Sequence, residues 1–280
     1  MVDIEDIFEI YENTKDDMKF FTASEVRAKI LISLTEGPKN LADLRSDIHR
    51  SPSTILHGMN QLREKELVFR ESGQYSLSQT GEILTNKIID TTRAVNSVNT
   101  CKCLFLNHEI KSIPQSLIKD IGCLSNAYTV KSTSIDILKP HTTLSNLLSK
   151  TKNVKHLSSV FYPQIAELFL KVIENNVKLD LILTEEVLNK FIGMVGVEKL
   201  KKPILAGDLK LWIVNDGMKI FFTMGDNFIS MGLFSTEGSY DVNVFLISEN
   251  ENCDGEEAIS WGNRLFNHYL RSAKEFKLES

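Results

Sequence analysis

The stretch from residue 49 to 70 reads HRSPSTILHGMNQLREKELVFR and carries polar side chains at helical spacing. Ser53, Thr54, His57 and Asn60 can each donate or accept hydrogen bonds, the chemistry needed to read base edges. Arg45, Arg50, Arg63, Lys65 and Arg70 can bind phosphates, which set affinity and register rather than sequence. A second group consists of residue types that line small-molecule pockets: Tyr162, Trp212, Tyr240, Asp241, Trp261 and Arg264. Each also has an ordinary structural role open to it. Trp261 suits a core, Asp241 can bond to turn amides, and Arg264 can pair with a nearby carboxylate.

Other chemistry is poorly supported. The sequence has no G-x-S-x-G, no Walker loop, no G-x-G-x-x-G and no H-E-x-x-H. The H-x-K pair of a phospholipase-type site is also missing, and the six histidines are scattered. Neither an enzyme nor a cofactor is expected. Cys101, Cys103 and Cys123, with His108 near them in sequence, raise a metal or thiol question. C-x-C fits zinc poorly, and free cysteines commonly act as small buried hydrophobes. No metal is therefore expected.

The whole chain bounds these readings. Its 280 residues suit two domains with sizeable cores. At 42% hydrophobic and 25% charged, it has an ordinary globular composition. A net charge of −5 means that any contact with DNA must come from a local patch. Seven carboxylates and one lysine among the first 17 residues argue against a secretory signal. No stretch approaches the roughly 20 apolar residues of a spanning helix. The expectation is a cytoplasmic protein with no membrane partner.

The first hundred residues supply the elements that would position the polar face. Ile4, Ile7, Phe8 and Tyr11 suggest a short leading helix. Thr22 and Glu25 form a capping-box pair ahead of Val26, Ile30, Leu31 and Leu34. GPKN (37–40) stops that helix, and Asn40 caps the next, whose buried side is Leu41, Leu44 and Ile48. Ser51 is an N-cap and Pro52 fits the first helical position. Ile55, Met59 and Leu62 make the buried stripe of the third helix. Leu67 to Phe69 reads as a strand, SGQ (72–74) as a turn and YSLS (75–78) as the returning strand. Thr80 and Gly81 lead into a helix from about Glu82 to Val98.

This order, helix, helix, helix, β-ribbon, helix, resembles the winged helix-turn-helix regulators of archaea and bacteria. The residues that carry it are SEVRAKILISL, NLADLRSDIHRSPSTILHGMNQLREKELV and YSLSQTGEIL, over roughly residues 20 to 95. The sequence departs from the family at Ser78, where Thr is common, and at Glu66, where Gly usually follows the recognition helix. The resemblance implies double-stranded DNA as partner, with the helix at 53–65 in the major groove. Residues 20 to 75 hold eight Lys or Arg against seven Asp or Glu, so the basic surface must be one-sided.

Leu84, Ile88, Thr91, Val95 and Val98 form a short heptad seam, and a homodimer is expected from it. TTRAVNSVNTC (91–101) loses apolar density and reads as a hinge. Beyond it, helix-like and strand-like segments alternate: helices at 113–124, 142–151, 162–176 and 185–196, strands at 126–132, 156–160 and 177–184. From Leu209 the pattern becomes consecutive hairpins, with Asp216-Gly217 as a two-residue turn, then a strand at 240–248. Asp254 and Glu257 would cap a last helix carrying Ala258, Trp261, Leu265, Phe266 and Tyr269 on one face. This half resembles the C-terminal domain of archaeal winged-helix regulators described for methanogenesis control in filament-forming methanogens. The residues that carry it are IPQSLIKDIGCL, LILTEEVL, MGLFSTEGSYDVNVFLIS and AISWGNRLFNHYLRSAKEF.

The expected fold class is α+β: a winged helix-turn-helix domain at 1–80, a connecting and dimerisation helix with hinge at 81–103, and an α/β domain with a mixed sheet at 104–280. The expected function is that of a dimeric, DNA-binding transcription regulator. Its second domain would sense an effector or mediate assembly, coupled to DNA through the helix at 82–98. The competing reading is a protein-protein adaptor that uses its winged helix without DNA.

Overall fold

The computed structural model describes residues 3–175, 177–215, 217–250 and 256–277. The chain divides into two compact units, Met1–Thr92 and Arg93–Ser280.

The first unit contains α1 (Ile4–Thr22), α2 (Glu25–Ser33), α3 (Leu41–Ile48), α4 (Pro52–Glu64), β1 (Val68–Glu71) and β2 (Gln74–Leu77), and α5 (Gln79–Thr100) leads out of it. Sequence signals explain most of the boundaries. Asn40 accepts from the amides of Ala42 and Asp43 while Asp43 returns a bond to the Asn40 amide, a complete capping box. Ser51 caps α4 through the Thr54 amide, with Pro52 behind it. The start of α2 differs from expectation. Ser24 is its N-cap, bonded to the Arg27 amide, whereas Thr22 closes α1 by donating to the Met18 carbonyl. Glu25 is thereby left free to pair with Lys29 and Arg50.

β1 and β2 form a hairpin whose loop residues, Ser72 and Gly73, both have positive φ, at 50° and 85°. That is the twist a tight two-residue hairpin demands. Lys39 bridges to Tyr75 as a short third strand, through amide–carbonyl bonds of 3.0 and 2.8 Å. Ile30, Leu31, Leu44, Ile55, Met59, Leu62 and Tyr75 form the core of this unit.

Ser78 and Gly81 explain the exit from the wing. The Ser78 hydroxyl donates to the Glu66 carbonyl and accepts from the Gly81 amide. This pulls the first turn of α5 against the backbone at Leu67. A Cβ on Gly81 would lie 2.0 Å from the Leu67 carbonyl oxygen. Helix α5 then runs unbroken to Thr100, so the proposed hinge at 91–101 is helical for nearly all its length. The segment has no Gly or Pro to stop it. The hydroxyls of Thr91, Thr92 and Ser97 bond back to carbonyls four residues earlier.

The second unit adds α6 (Lys102–Asn107), α7 (Gln115–Lys119), β3 (Tyr128–Lys131), α8 (Lys139–Leu148), β4 (Asn153–Ser158), α9 (Pro163–Glu174), β5 (Lys178–Thr184), α10 (Glu185–Val195), α11 (Val197–Ala206), β6 (Leu209–Val214), β7 (Ile220–Met224), β8 (Phe228–Leu233), β9 (Val244–Glu249), α12 (Glu256–Leu270) and β10 (Lys274–Glu275). The strands form one mixed sheet in the order β10-β6-β5-β4-β7-β8-β9-β3. β4, β5 and β6 are parallel neighbours, and all other pairs are antiparallel. One face of the sheet packs on α8, α9, α10 and α11 through residues such as Leu181, Phe221 and Phe245. The other packs on α6, α7 and α12 through Phe222, Met231, Trp261 and Phe266. β7 and β8 are buried along their whole length, as strands covered on both faces must be.

Three expectations change here. The helix at 113–124 breaks into α7 and a 3₁₀ turn, Ile121–Leu124, after Asp120. α11 extends the helical region beyond 196, with Pro203 inside it. β6 and β7 do not form a hairpin. β6 lies between β5 and β10, and β7 lies between β4 and β8. One crossover through α10 and α11 sets β6 beside β5, and this parallel pairing overrides the local turn signal. Asp216 and Asp254, on which a turn and a cap were expected, lie outside the described residues.

His156 sits in the core, its Nδ1 2.9 Å from the Thr223 hydroxyl and its ring edge-on to Phe169 and Phe221. Burial pushes its pKa down to about 3. It is a satisfied neutral core histidine.

The contact at Gly81 gives a direct test. Gly81→Ala should lower the unfolding free energy by about 2–3 kcal/mol, the cost of overpacking against backbone that cannot yield. A shift of the urea midpoint for the first unit reads this out, and a midpoint equal to wild type would refute the packing argument.

Candidate nucleic-acid interface

α4 is held by apolar and polar contacts at once. Ile55, Met59 and Leu62 are fully buried against α2 and α3. Gly58 lets the helices approach closely, since a Cβ there would lie 3.1 Å from the Ile30 side chain. The Arg27 guanidinium bonds to Gln61 at 2.8 Å and to the Phe20 carbonyl at 2.7 and 3.0 Å, and it lies over the Phe20 ring. This ties α1, α2 and α4 together. Sequence reading missed Arg27, Gly58 and Gln61 as positioning residues. The one available signal was a glycine inside an otherwise sound helix.

The outward face of α4 carries Ser53, Leu56, His57, Asn60 and Arg63, all exposed. The Ser53 and Thr54 hydroxyls lie 3.0 and 2.8 Å from the Ser51 hydroxyl at the cap. Among the described residues, His57, Asn60 and Arg63 have no side-chain partner. The five basic candidates differ in how they are held. Arg45 is exposed beside a shallow depression of about 570 Å³ that Leu41, Ser46 and Pro52 help to line. Arg50 pairs with Glu25 at 2.8 Å, and Lys65 with Asp17 at 2.7 Å. Arg70 projects over the Tyr75 ring on the wing. The exposed ion pairs are individually weak. Lys29 and Arg50 hold the Glu25 carboxyl below the usual range. Lys39 does the same to Asp47, which in turn raises the Lys39 ammonium. Glu66 follows α4 with φ 58°, so the position keeps the backbone shape that favours glycine without being glycine.

The pocket-type residues of the second unit do not converge. Tyr162 stacks on His141 at 4.6 Å, and Tyr240 packs near Phe221, its buried hydroxyl without a partner and close to Gly232. Those two share the face that α8 and α9 cover. Trp212 lies edge-on to Phe266 on the opposite face. Arg264 pairs with Asp120 at 2.5 Å, and the Trp261 indole donates to the Leu117 carbonyl from a fully buried position. Asp241 accepts from the Asn243 amide at 2.8 Å and faces His108 Nε2 at 3.0 Å.

Cys101 is buried, Cys103 exposed and Cys123 half-buried. Burial pushes the Cys101 thiol up to about 11, and burial also raises Cys123. Among the described residues no three or more His, Cys, Asp or Glu are grouped to hold a metal ion. Nor is any described helix long and apolar enough to cross a membrane.

With the geometry in place, comparison with known proteins narrows the reading. Residues 15–95 match the family description "Methanogenesis regulatory protein FilR1, N-terminal domain". Residues 137–272 match "Methanogenesis regulatory protein FilR1, middle domain". The chain belongs to the FilR1 family of winged-helix regulatory proteins. A curated relative, the methanogenesis regulatory protein FilR1 of Methanothrix harundinacea (strain 6Ac), is 24% identical over 261 residues. That match takes in 92% of this chain and 57% of the relative, so the chain spans little more than half the relative's length. Among solved structures, the archaeal chromatin protein TrmBL2 is similar at 14% identity and a TM-score of 0.41, over 89% of this chain and 93% of that one. An IclR-type transcriptional regulator from Alicyclobacillus acidocaldarius is similar at 10% identity and a TM-score of 0.23, over 87% and 94%. At these scores the structural likenesses carry no functional inference.

The cysteine environments predict a reactivity order. With its pKa near 11, only about one Cys101 thiol in a thousand is thiolate at pH 8. In a Cys253→Ser background, native protein treated with Ellman's reagent should lose its fast phase when Cys103 is replaced by Ser and keep it in Cys101→Ser. Loss of the fast phase in Cys101→Ser would overturn the assignment.

Proposed function

We propose that this chain is a transcription regulator that binds double-stranded DNA through α4 and the β1–β2 wing. The observation that carries this reading is the partner-free polar row His57, Asn60 and Arg63 on a helix whose opposite face is locked into a core. A helix of this diameter fits the major groove, with side chains near its N-terminus at base edges. Ser53, Thr54, His57 and Asn60 take the base-reading role. Arg45, Arg50, Arg63, Lys65 and Arg70 take the phosphate role. The curated relative is named for methanogenesis control, and the same regulatory setting is proposed for this chain. Its second unit senses an effector or mediates assembly.

One observation favours the adaptor reading as the alternative. Arg50 and Lys65 are already paired with carboxylates, and the charge of residues 20 to 75 is close to balanced. Salt separates the two. Phosphate contacts lose affinity steeply as salt rises, and an apolar protein interface does not.

The test is affinity for the upstream DNA of its own gene against a scrambled duplex, at two salt concentrations. Asn60→Ala should cost about 1–3 kcal/mol and relax sequence preference. Arg63→Ala should weaken all duplexes alike and flatten the salt slope by about one. Both variants binding as tightly as wild type would end the DNA-reading proposal for α4.

A homodimer belongs to the same proposal. Leu84 and Ile88 pack on the core of the first unit, leaving Val95 (53% exposed) and Val98 (46% exposed) as the open part of the seam. α1 also exposes Ile4, Phe8 and Tyr11. Sedimentation at micromolar protein should show a dimer that Val95→Lys combined with Val98→Lys weakens. A wild-type monomer under those conditions would remove the dimer from the proposal.

A further inference from the structure

Three neighbouring strands each carry charge on the face that α12 covers. Lys155 of β4 lies opposite Asp180 of β5, which lies opposite Lys210 of β6. Lys178 is two residues before Asp180 and therefore shares its face. Farther along the same strands that face is apolar, with Leu157 and Ile182 in the core. The charged row thus interrupts a hydrophobic surface at the end where these parallel strands begin. It is also where α12 stands off from the sheet and leaves a cavity of about 450 Å³. The far end of the same strands has a cavity of only about 20 Å³, on the opposite face.

The side chains around the larger cavity are poised rather than spent. Lys155 is fixed, its ammonium donating to Asn263 of α12 at 2.7 Å and lying 5.4 Å from the Phe266 ring centre. Among the described residues, Lys155, Lys178 and Lys210 have no carboxylate within ion-pair distance. The half-buried Asp180 is the one carboxylate in their row. Burial raises its carboxyl even though all three lysines act to lower it. Asp226 lies at the rim, but its oxygens are turned to loop donors: the Lys152 amide, the Thr151 hydroxyl and the Asn153 amide and side chain. Three ammonium groups therefore face a shared space with one row carboxylate among them. The volume falls in the range that holds small metabolites, roughly 300–1,000 Å³. Its walls add apolar surface from Met224 and Ile259.

We propose that this cavity binds a small anion with several acceptor oxygens, of the dicarboxylate or phosphate class, through Lys155, Lys178 and Lys210. Asn263 orients Lys155 and closes the site from the α12 side. Asp180 opposes the charge of the ligand and, in the empty site, offsets the mutual repulsion of the three ammonium groups. A ligand that contacts both the sheet lysines and α12 would change how tightly that helix sits, which is the physical form an effector signal would take. This deepens the sensing part of the function proposed above and does not depend on DNA binding.

The experiment is calorimetric titration of the full chain, without DNA, with inorganic phosphate and separately with succinate, using acetate at matched ionic strength as control. Saturable binding of at least one of the two anions, with none for acetate, is the expected result, and whichever binds names the class. Lys155→Met and Lys210→Met should each weaken it about tenfold, because both keep the stem and remove the charge. Asp180→Asn should tighten it severalfold, the opposite sign, which a merely damaged fold would not give. Circular dichroism confirms that each variant is folded. No saturable heat with either anion at millimolar concentration overturns the site, as does equal affinity in wild type and a folded Lys210→Met protein. Failure here with sequence-specific DNA binding intact removes the site alone; anion binding without DNA binding removes the DNA reading alone.

Discussion

The first unit depends on how closely α4 can sit on α2. That distance is set at Gly58, where even a methyl group would press on Ile30 and Val26. Once the helices are that close, Ile55, Met59 and Leu62 fill the space against Leu31 and Leu44, and the axis of α4 is fixed. Arg27 then joins the surface network to the core by holding both Gln61 and the end of α1. The polar face of α4 is presented at a definite angle only because its other face has so little freedom. A looser contact would leave the same side chains exposed but without the fixed geometry that reading base edges requires.

The second unit answers to a different constraint. Its sheet is covered on both faces, so every polar group in the central strands must find a partner or a cavity. His156 meets Thr223 and stays neutral. Ser158 turns its hydroxyl to the backbone at Val160. Lys155, Asp180 and Lys210 stand in a row beside open volume, with Lys155 bonded to Asn263. Chains keep unpaired charge in such places at a cost in stability, and the usual return is function.

Much of the first unit was legible in the sequence because its determinants are local. Asn40, Ser51 and Pro52 act within one turn of where they stand, and the Ser72-Gly73 turn is fixed by its own φ angles. The misplacement of the α2 cap from Ser24 to Thr22 was a local error between two hydroxyl residues two positions apart. In the second unit, the errors were long-range. The Asp-Gly signal after β6 suggested a hairpin, but the partner of β6 is β5, reached through α10 and α11. No window of sequence contains that pairing. Which of Tyr162, Trp212 and Arg264 share a face is equally long-range information, because strand order decides which residues meet.

The lysine row shows what kind of signal does survive. VKHLSS, LDLILT and LKLWIV each hold one charged residue, at the second position, inside a run otherwise rich in apolar residues. Seen singly, each charge reads as an exposed strand end. Only the parallel register of β4, β5 and β6 brings the three charges into line. Because parallel neighbours start at the same end of the sheet, charges near the strand starts, third in β4 and β5 and second in β6, become a line across it. A charge repeated near the start of successive strands linked by helices is thus a sequence-visible sign of a transverse polar row. Whether such a row is a site or only a solvated edge depends on whether a helix roofs it. Here α12 does, with Asn263 in contact with Lys155 and Phe266 beneath its ammonium.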